Sequence, residues 1–319
     1  MKHTTTLSLA AAAALASPAM AHPSQPSSSR SVLSWDIPEY LKLSELYGAP
    51  DNDFSCRSDR NPVVLLHGLS ADREVDLNML QKELNGRGYC TFSLTYGAHT
   101  AAPWIGGLKS MRDDSAAEIA DFIREVHEKS ADDAAQRKKV DLVGHSEGGV
   151  MTLYVPMTQD GIPDIVERTV ALGPAVHGAQ YYGFTDLLYA GGDATRKVAG
   201  AAIKALGCAA CDDMATGGAV YADFLARSQA LAAGTSSVGI VPAGVKATVV
   251  MSRSDTLVSP EVSQVDEAGV RNVFVQDACP DDKVGHAGLM WDRSVWGLVY
   301  NALEEEYDRV FDCDKGLEI

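Results

Sequence analysis

The sequence predicts an α/β fold in which a mostly parallel sheet is covered by helices on both faces. Two observations lead to this prediction: the strand-like runs are apolar throughout, and amphipathic helical patterns separate them. Strands in a parallel sheet are buried on both faces, so they are apolar along their whole length. The chain has 319 residues, of which 46% are apolar and 22% charged, and this suits one domain with a full core.

Strand-like runs and helical patterns alternate from Asn61 onward. Short apolar runs predict strands, and they lie at Val63–Leu66, Tyr89–Leu94, Val140–Val143, Val170–Leu172, Ala247–Met251 and Val273–Val275. Apolar residues at helical spacing predict helices, at Leu77–Leu84, Ile119–Val126, Gly148–Met157 and Ser294–Leu303. Ser115-Ala-Ala-Glu118 has the form of a capping box, which predicts that the second of these helices begins at Ser115.

The segment between Leu172 and Ala247 contains no clear strand and is longer than an ordinary connection in such a fold. It carries a group of aromatic and apolar residues, namely Tyr181, Tyr182, Phe184, Leu187, Leu188 and Tyr189. We predict that about residues 179–235 form a small helical cap over the carboxyl edge of the sheet, where α/β sheets bind ligands. The alternative is that these helices only thicken the core.

The first 21 residues have the features of a secretory signal peptide. Lys2 precedes the apolar run Leu7–Ala16, and Ala19-Met20-Ala21 provides small residues for cleavage. The alternative is a disordered alanine-rich tail. Residues 22–45, which begin rich in Pro and Ser, predict a flexible lead-in to a folded domain at 46–319. No apolar run is long enough to span a bilayer, so we expect a secreted, extracellular protein without a transmembrane anchor.

The net charge of the chain is −16 at neutral pH, and removal of residues 1–21 would take away the positive charge of Lys2. An acidic surface is unfavourable for nucleic acids and anionic membranes, because both carry negative charge. Neutral esters and lipid droplets are compatible with it. We therefore expect no nucleic-acid partner.

The six cysteines are even in number, which in a secreted chain predicts three disulfides. Fifteen pairings are possible on paper. Position along the chain favours neighbouring pairs, Cys56–Cys90, Cys208–Cys211 and Cys279–Cys313. Cys208-Ala-Ala-Cys211 could instead be a redox pair, but it lacks the preceding strand of that motif. No second Cys or His pair lies at ligand spacing, so no metal site is predicted.

The stretch VDLVGHSEGGV, Val140–Val150, sets Ser146 between a predicted strand and a predicted helix. One interpretation is a tight surface turn, where Gly and Ser are common. The other is a nucleophile elbow, in which small neighbours such as Gly144 and Gly148 let the serine oxygen stand clear of the backbone. The strand and helix on either side favour the elbow, and Ser146 is the predicted nucleophile.

A serine nucleophile needs a base, and in this architecture the acid and then the histidine follow the serine along the chain. His286 follows the last predicted strand, in the loop DDKVGHAGLM, and is the predicted base. The remaining histidines lie in unsuitable segments or precede any acid in that order: His3, His22, His67, His99, His127, His145 and His177. His177, just past a strand end, is predicted instead to line the pocket.

Asp255, in the loop SRSDTLVSP after a predicted strand, is the predicted acid. Its role would be to accept the Nδ1 proton of His286, which fixes the tautomer and stabilises the imidazolium. Asp277, which ends a strand, and Asp281 and Asp282, which share the loop of His286, are the alternatives.

The oxyanion of acyl transfer needs backbone donors. One would be the amide of Glu147, the residue after the nucleophile. The second would come from the turn after the first strand, where His67-Gly68 lets the chain bend, and this points to the amide of Leu69. HGL alone is a common strand-end turn, but beside an elbow it favours an oxyanion site.

Five stretches, PVVLLHGL, GYCTFSLTYG, VDLVGHSEGG, SRSDTLVSP and VQDACPDDKVGHAGLMWD, together resemble the secreted class 2 lipases of the α/β-hydrolase superfamily, found in actinobacteria and fungi. The similarity runs from about Asp51 to Leu303. The elbow is common to the superfamily, whereas the CxxC in the cap and the Cys-Pro before the histidine loop are more family-specific. The resemblance implies an α/β-hydrolase fold, three internal disulfides, the triad Ser146, Asp255 and His286, and the amides of Leu69 and Glu147 as oxyanion donors.

Two positions depart from the family pattern. Many members have Gln where this chain has Glu147, and Thr where it has Leu69. Both positions act through backbone amides, so the implied mechanism is unaffected. The extra carboxylate of Glu147 could disturb the pH profile or be neutralised by a basic neighbour, and Leu69 could change the pocket shape.

The sequence therefore predicts a secreted carboxylic ester hydrolase, specifically a lipase that acts on acylglycerols through an acyl-enzyme. An esterase for small soluble esters and an acyltransferase are the alternative enzymes. A non-catalytic secreted binding module is an alternative of a different class, since a fold does not fix a function. No cofactor or metal is expected, and we expect a monomer that meets its ester or lipid substrate at a lipid–water interface.

Overall fold

A parallel sheet forms the centre of the structure. The chain is described here by a computed structural model that covers residues 47–131, 137–179 and 193–318. The strands are β1 (Val63–Leu66), β2 (Thr91–Leu94), β3 (Val140–His145), β4 (Val166–Leu172), β5 (Lys246–Met251) and β6 (Val270–Phe274). They lie in the order β2-β1-β3-β4-β5-β6, and every neighbouring pair is parallel. The last strand begins and ends earlier than predicted.

Helices connect the strands and cover both faces of the sheet. They are α1 (Asn78–Gly86), α2 (Ala116–Lys129), α3 (Glu147–Thr158), α4 (Ile162–Ile165), α5 (Asp193–Ala205), α6 (Ala209–Met214), α7 (Ala219–Ala232), α8 (Pro260–Ser263), α9 (Val275–Ala278) and α10 (Arg293–Glu304). Along β1, Val64 and Leu66 pack in the cluster that contains α2 and α3 residues. Val63 and Leu65 pack in the opposite cluster, with residues of α1 and α10. This arrangement confirms the predicted α/β fold.

Helix α2 begins directly after Ser115, as predicted, but Ser115 and Glu118 do not form the predicted capping box. The chain enters α2 through a π-helical turn, Met111–Ser115, and the Ser115 side chain makes no capping hydrogen bond. Ser110 caps this turn instead, because its Oγ accepts a hydrogen bond from the amide of Asp113 at 3.1 Å. Glu118 accepts from the amide of Gly97 at 2.9 Å. Its carboxylate therefore holds the loop after β2 and not the start of its own helix.

The insertion between β4 and β5 is helical in its described part, where it consists of α5, α6 and α7. Its residues Met214 and Phe224 pack in the apolar core, and Asp213 adds buried polar contacts: it accepts hydrogen bonds from Ser110 Oγ at 2.5 Å and from the amide of Met111 at 2.9 Å. The predicted aromatic part of the cap lies in 180–192, outside the described residues, as do the predicted signal peptide and the whole of the predicted lead-in. In the described ranges, no helix has the length and apolarity needed to cross a bilayer.

Three disulfides are formed: Cys56–Cys90 and Cys279–Cys313 join distant segments, and Cys208–Cys211 closes the first turn of α6. Cys279–Cys313 holds the segment Cys313–Leu317 beside the loop that follows α9. There the amide of Lys283 donates to the carbonyl of Lys315 at 2.9 Å, and the amide of Gly285 donates to the carbonyl of Leu317 at 2.7 Å. This segment therefore lies directly against the residues that precede His286.

Candidate active site

Ser146 occupies the turn between β3 and α3 with a strained backbone. Its φ of 55° and ψ of −116° lie where residues with side chains are rarely found. The amide of Ser146 donates to the carbonyl of Leu172 in β4 at 2.8 Å, which helps to hold this conformation. The turn is the strand-to-helix elbow that the sequence predicts, and it sets the serine at the carboxyl edge of the sheet.

The glycines around Ser146 have a steric role. A methyl group on Gly144 would lie 2.2 Å from the carbonyl oxygen of Gly148. A methyl group on Gly148 would lie 2.0 Å from the carbonyl oxygen of Leu66 in β1. Both distances are far below a van der Waals contact. The start of α3 therefore packs against β1 and β3 at a distance that only glycine allows.

His286 connects Ser146 to Asp255 through two hydrogen bonds. Its Nε2 lies 2.8 Å from Ser146 Oγ, and its Nδ1 lies 2.6 Å from Asp255 Oδ2. The other carboxylate oxygen of Asp255 accepts from the amides of Leu257 and Val258, at 2.9 and 2.8 Å. Asp255 is 4% exposed and His286 is 6% exposed. The structure thus brings the three predicted residues together, with the carboxylate fixed by two amides.

The alternative acids lie elsewhere. Asp277 is exposed, and its Oδ1 pairs with Arg253 at 2.6 Å. Asp282 is buried, but its Oδ2 accepts a hydrogen bond from Ser294 Oγ at 2.6 Å. Asp281 is exposed to solvent. Of the four candidates, Asp255 is the one that bonds to the imidazole of His286.

The surroundings of His286 favour the neutral ring. Burial lowers the pKa of His286 below its usual value, the hydrogen bond that His286 donates to Asp255 opposes this, and the nearby His145 adds to the lowering. A neutral imidazole can accept the proton of the Ser146 hydroxyl at neutral pH. The electrostatics are therefore suited to a general base.

A cavity of about 230 Å³ opens above Ser146 and His286. Its walls are mostly apolar and include Leu69, Ala71, Ala175, Ala179, Met214, Leu257, Val258, Ala287 and Met290. Met214 comes from the helical insertion, so the insertion forms part of the wall. His177 is not among the lining residues: its Nε2 lies 2.8 Å from the carbonyl oxygen of Gln264 at the surface, and the prediction that it lines the pocket is wrong.

The predicted oxyanion donors flank the nucleophile. A methyl group on Gly68 would lie 3.3 Å from Cβ of Ser146, so the turn that carries Leu69 passes beside the serine. Glu147 is the first residue of α3, and the first amides of a helix have no partner within it. Both predicted donors therefore lie on backbone that adjoins Ser146, one in the turn beside it and one on the next residue. Over the described ranges, His, Cys, Asp and Glu form no group that could hold a metal ion.

The burial of the Glu147 side chain could not be read from the sequence. The side chain is 0% exposed, and neither carboxyl oxygen has a hydrogen-bond partner within the described part of the chain. Burial raises the pKa of Glu147 well above its usual range, and the charge of Asp213 raises it further. The carboxyl is therefore neutralised by its own proton and not by a basic neighbour, which was one of the two alternatives for Glu147.

Three solved structures with a similar fold are lipases by name. Lipase B of Aspergillus fumigatus superposes with a TM-score of 0.55 at 15% identity, over 81% of this chain and 56% of that one. The chain thus spans little more than half the length of that lipase. The mature lipase BlEst2 of Bacillus licheniformis gives 0.51 at 17% identity, over 82% and 96% of the two chains. A soluble variant of the monoglyceride lipase of Saccharomyces cerevisiae gives 0.52 at 14% identity, over 82% and 89%.

At these identities the similarity shows a shared fold. No curated protein sequence matches the chain significantly. The sequence profile of the alpha/beta hydrolase family, in contrast, matches residues 63–294, which include every strand and all of the candidate site residues. This chain therefore belongs to the alpha/beta hydrolase family.

Proposed function

We propose that this protein is a secreted serine hydrolase that cleaves carboxylic esters, and that it acts as a lipase on acylglycerols. One observation carries the proposal: the hydrogen bonds that run from Ser146 through His286 to Asp255 at the floor of an apolar cavity. The strained backbone of Ser146 supports the same role, because strain of this kind is retained where it exposes a reactive atom. The resemblance to secreted class 2 lipases points in the same direction.

In the proposed reaction, Ser146 Oγ attacks the ester carbonyl carbon while His286 Nε2 takes its proton. The amides of Leu69 and Glu147 donate to the oxyanion, and such a donor typically contributes about 10²–10³ in kcat. The imidazolium, stabilised by Asp255, then gives the proton to the leaving alcohol. Water, activated by the same ring, releases the acid from the acyl-enzyme.

The walls of the cavity support a lipid substrate. Side chains such as Met214, Leu257 and Met290 offer an acyl chain apolar contacts. The net charge of −16 favours neutral lipid over anionic membrane surfaces. The names of the three structural neighbours above are those of lipases. We propose that residues 179–235 act as a cap on this cavity.

Secretion is supported by the signal-like segment 1–21 and by the pairing of all six cysteines, since disulfides persist mainly in oxidising compartments. Expression in a secreting host tests this part. The culture medium should contain a chain shortened at its N-terminus, with no free thiol. An intact N-terminus on a cell-retained chain would contradict secretion.

The activity is tested with an ester panel of increasing acyl length, with and without emulsified triglyceride. Wild type should hydrolyse emulsified acylglycerols, and Ser146→Ala should lower kcat on the order of 10⁶-fold. Activity that survives the substitution would rule out Ser146 as nucleophile. Hydrolysis confined to short soluble esters would leave the mechanism intact but replace the lipase with an esterase.

A further inference from the structure

His145, the residue before the nucleophile, makes two hydrogen bonds that the proposed mechanism does not use. It ends β3 and is 3% exposed. Its Nδ1 lies 3.1 Å from Asp76 Oδ1, and its Nε2 lies 3.0 Å from the backbone carbonyl oxygen of His286. The ring thus bridges a buried carboxylate and the main chain of the predicted base.

Both partners of the ring are acceptors, a carboxylate and a carbonyl. A neutral imidazole has one N–H, whereas the imidazolium has two, so the two bonds require the protonated ring. Burial alone would lower the pKa of His145, but the charge and hydrogen bond of Asp76 outweigh burial and raise it. Asp76 is 0% exposed. Asp76 and His145 therefore form a buried ion pair beside the site.

The same carboxylate also holds the turn of the proposed oxyanion donor. Asp76 Oδ2 accepts a hydrogen bond from the amide of Gly68, the residue before Leu69. A methyl group on Gly68 would lie 3.2 Å from Asp76 Oδ2 and 3.4 Å from His145 Nδ1, so the turn packs directly on the pair. The ion pair thus contacts two backbone groups near Ser146, the amide of Gly68 and the carbonyl of His286.

We propose that Asp76 and His145 are positioning residues, a second Asp–His pair that sets the distance between the oxyanion turn and the backbone of His286. This inference rests on the proposed ester hydrolysis. Both residues line the cavity, but their hydrogen bonds go to each other and to the backbone of Gly68 and His286, not to Ser146 Oγ or His286 Nε2. The effect of the pair is to keep the amide of Leu69 and the ring of His286 aligned on the same carbonyl group, where an error of about 1 Å can cost about 100-fold in rate.

A buried ion pair can also serve folding alone, and the experiment separates the two roles. Asp76→Asn keeps the size of the side chain but removes its charge. His145→Gln keeps a hydrogen-bond donor for the carbonyl of His286 but removes the ion pair with Asp76. Each substitution should lower kcat about 10–100-fold with little change in KM, and the double variant should lose far less than the product of the two effects, because the residues act as one unit.

Asp141→Asn is the matched control. Asp141 is a buried carboxylate of the same strand, β3, and pairs with Arg168 at 3.2 Å at the amino end of the sheet. Its substitution should destabilise the fold and leave kcat unchanged. Equal effects of Asp76→Asn and Asp141→Asn on kcat, or independent effects at Asp76 and His145, would overturn the proposal.

A measurement without turnover keeps this inference separate from the proposed function. ¹⁵N NMR of the wild-type histidine rings, with the His145 signal assigned by its loss in His145→Gln, should show mostly protonated nitrogens at about pH 6.5, the usual pKa of histidine, and a titration midpoint above that value. The signal should become that of a neutral ring in Asp76→Asn. A neutral His145 in wild type would overturn the pair, whereas a protonated His145 in a protein without Ser146-dependent hydrolysis would support the pair and contradict the proposed function.

Discussion

Ser146 Oγ and His286 Nε2 lie 2.8 Å apart, although 140 residues separate them in the chain. Each residue follows a strand of the sheet, and Asp255 follows β5 in the same way. In a parallel sheet the carboxyl ends of the strands lie at one edge, so loops that are distant in sequence meet there. The geometry of the site is thus set by the order of the strands.

Substitution of the proposed acid tests whether Asp255, and not another aspartate, pairs with His286 in catalysis. Asp255→Asn should lower kcat for a soluble ester by about 10⁴-fold, because an amide favours the wrong tautomer of His286 and cannot stabilise the imidazolium. Asp277→Asn is the control, since that carboxylate is exposed and pairs with Arg253. Steady-state kinetics on both variants, with circular dichroism to verify folding, is the measurement. Similar losses in the two variants would contradict the assignment.

Substitution of Gly148, a glycine of the elbow, should mainly lower the stability of the fold. Gly148→Ala places a methyl group 2.0 Å from the Leu66 carbonyl oxygen, and we expect the free energy of unfolding to fall by about 3 kcal/mol. Gly86→Ala is the control, because nothing lies within 4 Å of a methyl group at that end of α1. That change should raise the free energy of unfolding by up to about 1 kcal/mol. Urea unfolding of both variants tests the contrast, and equal stabilities would refute it.

Two of the disulfides make a matched pair for testing the histidine loop. Cys56–Cys90 and Cys279–Cys313 each join residues 34 positions apart. Replacing either pair by serine should therefore cost similar chain entropy, about 4 kcal/mol. Only Cys279–Cys313 holds the segment Cys313–Leu317 against the residues before His286.

We accordingly expect the Cys279→Ser/Cys313→Ser variant to lose kcat about tenfold or more at a temperature where it remains folded. The Cys56→Ser/Cys90→Ser variant should keep its kcat under the same conditions. Kinetics at 15 °C, after unfolding curves have fixed the folded fraction, compares the two. Equal kcat values would mean that the segment does not orient the base.

The buried carboxyl of Glu147 makes stability depend on pH. Its pKa is raised well above the usual range by burial and by Asp213, whereas the unfolded chain ionises near about 4.3. Between these two pKa values the folded protein keeps a proton that the unfolded chain has lost. The free energy of unfolding therefore falls as pH rises, by at most about 1.4 kcal/mol per pH unit from this group.

Glu147→Gln removes this dependence, so the unfolding midpoint of the variant should rise relative to wild type as the pH is raised from about 5 to about 8. Urea-unfolding midpoints across that range test the prediction. Glu128→Gln is the control, because Glu128 is exposed on α2 and its substitution should give a difference that does not change with pH. A constant difference for Glu147→Gln as well would refute the buried, protonated carboxyl.

Much of the fold could be predicted because apolar runs report burial on both faces of a sheet. Val63–Leu66 is a strand over the residues predicted, and the glycines around Ser146 indicated the elbow whose steric need the structure explains. The hydrogen bonds of the side chains at the start of α2 could not be predicted in this way. A capping box is a local pattern, and the carboxylate of Glu118 instead meets the amide of Gly97, a contact that depends on the tertiary fold.

The pair of Asp76 and His145 could not be predicted either, because this contact also depends on the tertiary fold. As the direct neighbour of the nucleophile, His145 is not a candidate base. No spacing rule links it to an aspartate 69 residues earlier. Glu147 posed the opposite problem. The sequence suggested a carboxylate that disturbs the pH profile or meets a basic neighbour, and only packing shows that it is enclosed without a hydrogen-bond partner among the described residues.

The cavity above Ser146 has walls that come from separate connections of the fold. Leu69 follows β1, Ala175 follows β4, Met214 belongs to the insertion, Leu257 follows β5, and Met290 follows His286. Each wall can consequently be exchanged without altering a strand or another wall. A combinatorial library at these five positions could retune which acyl groups the protein accepts while the hydrogen bonds of Ser146, His286 and Asp255 stay as they are.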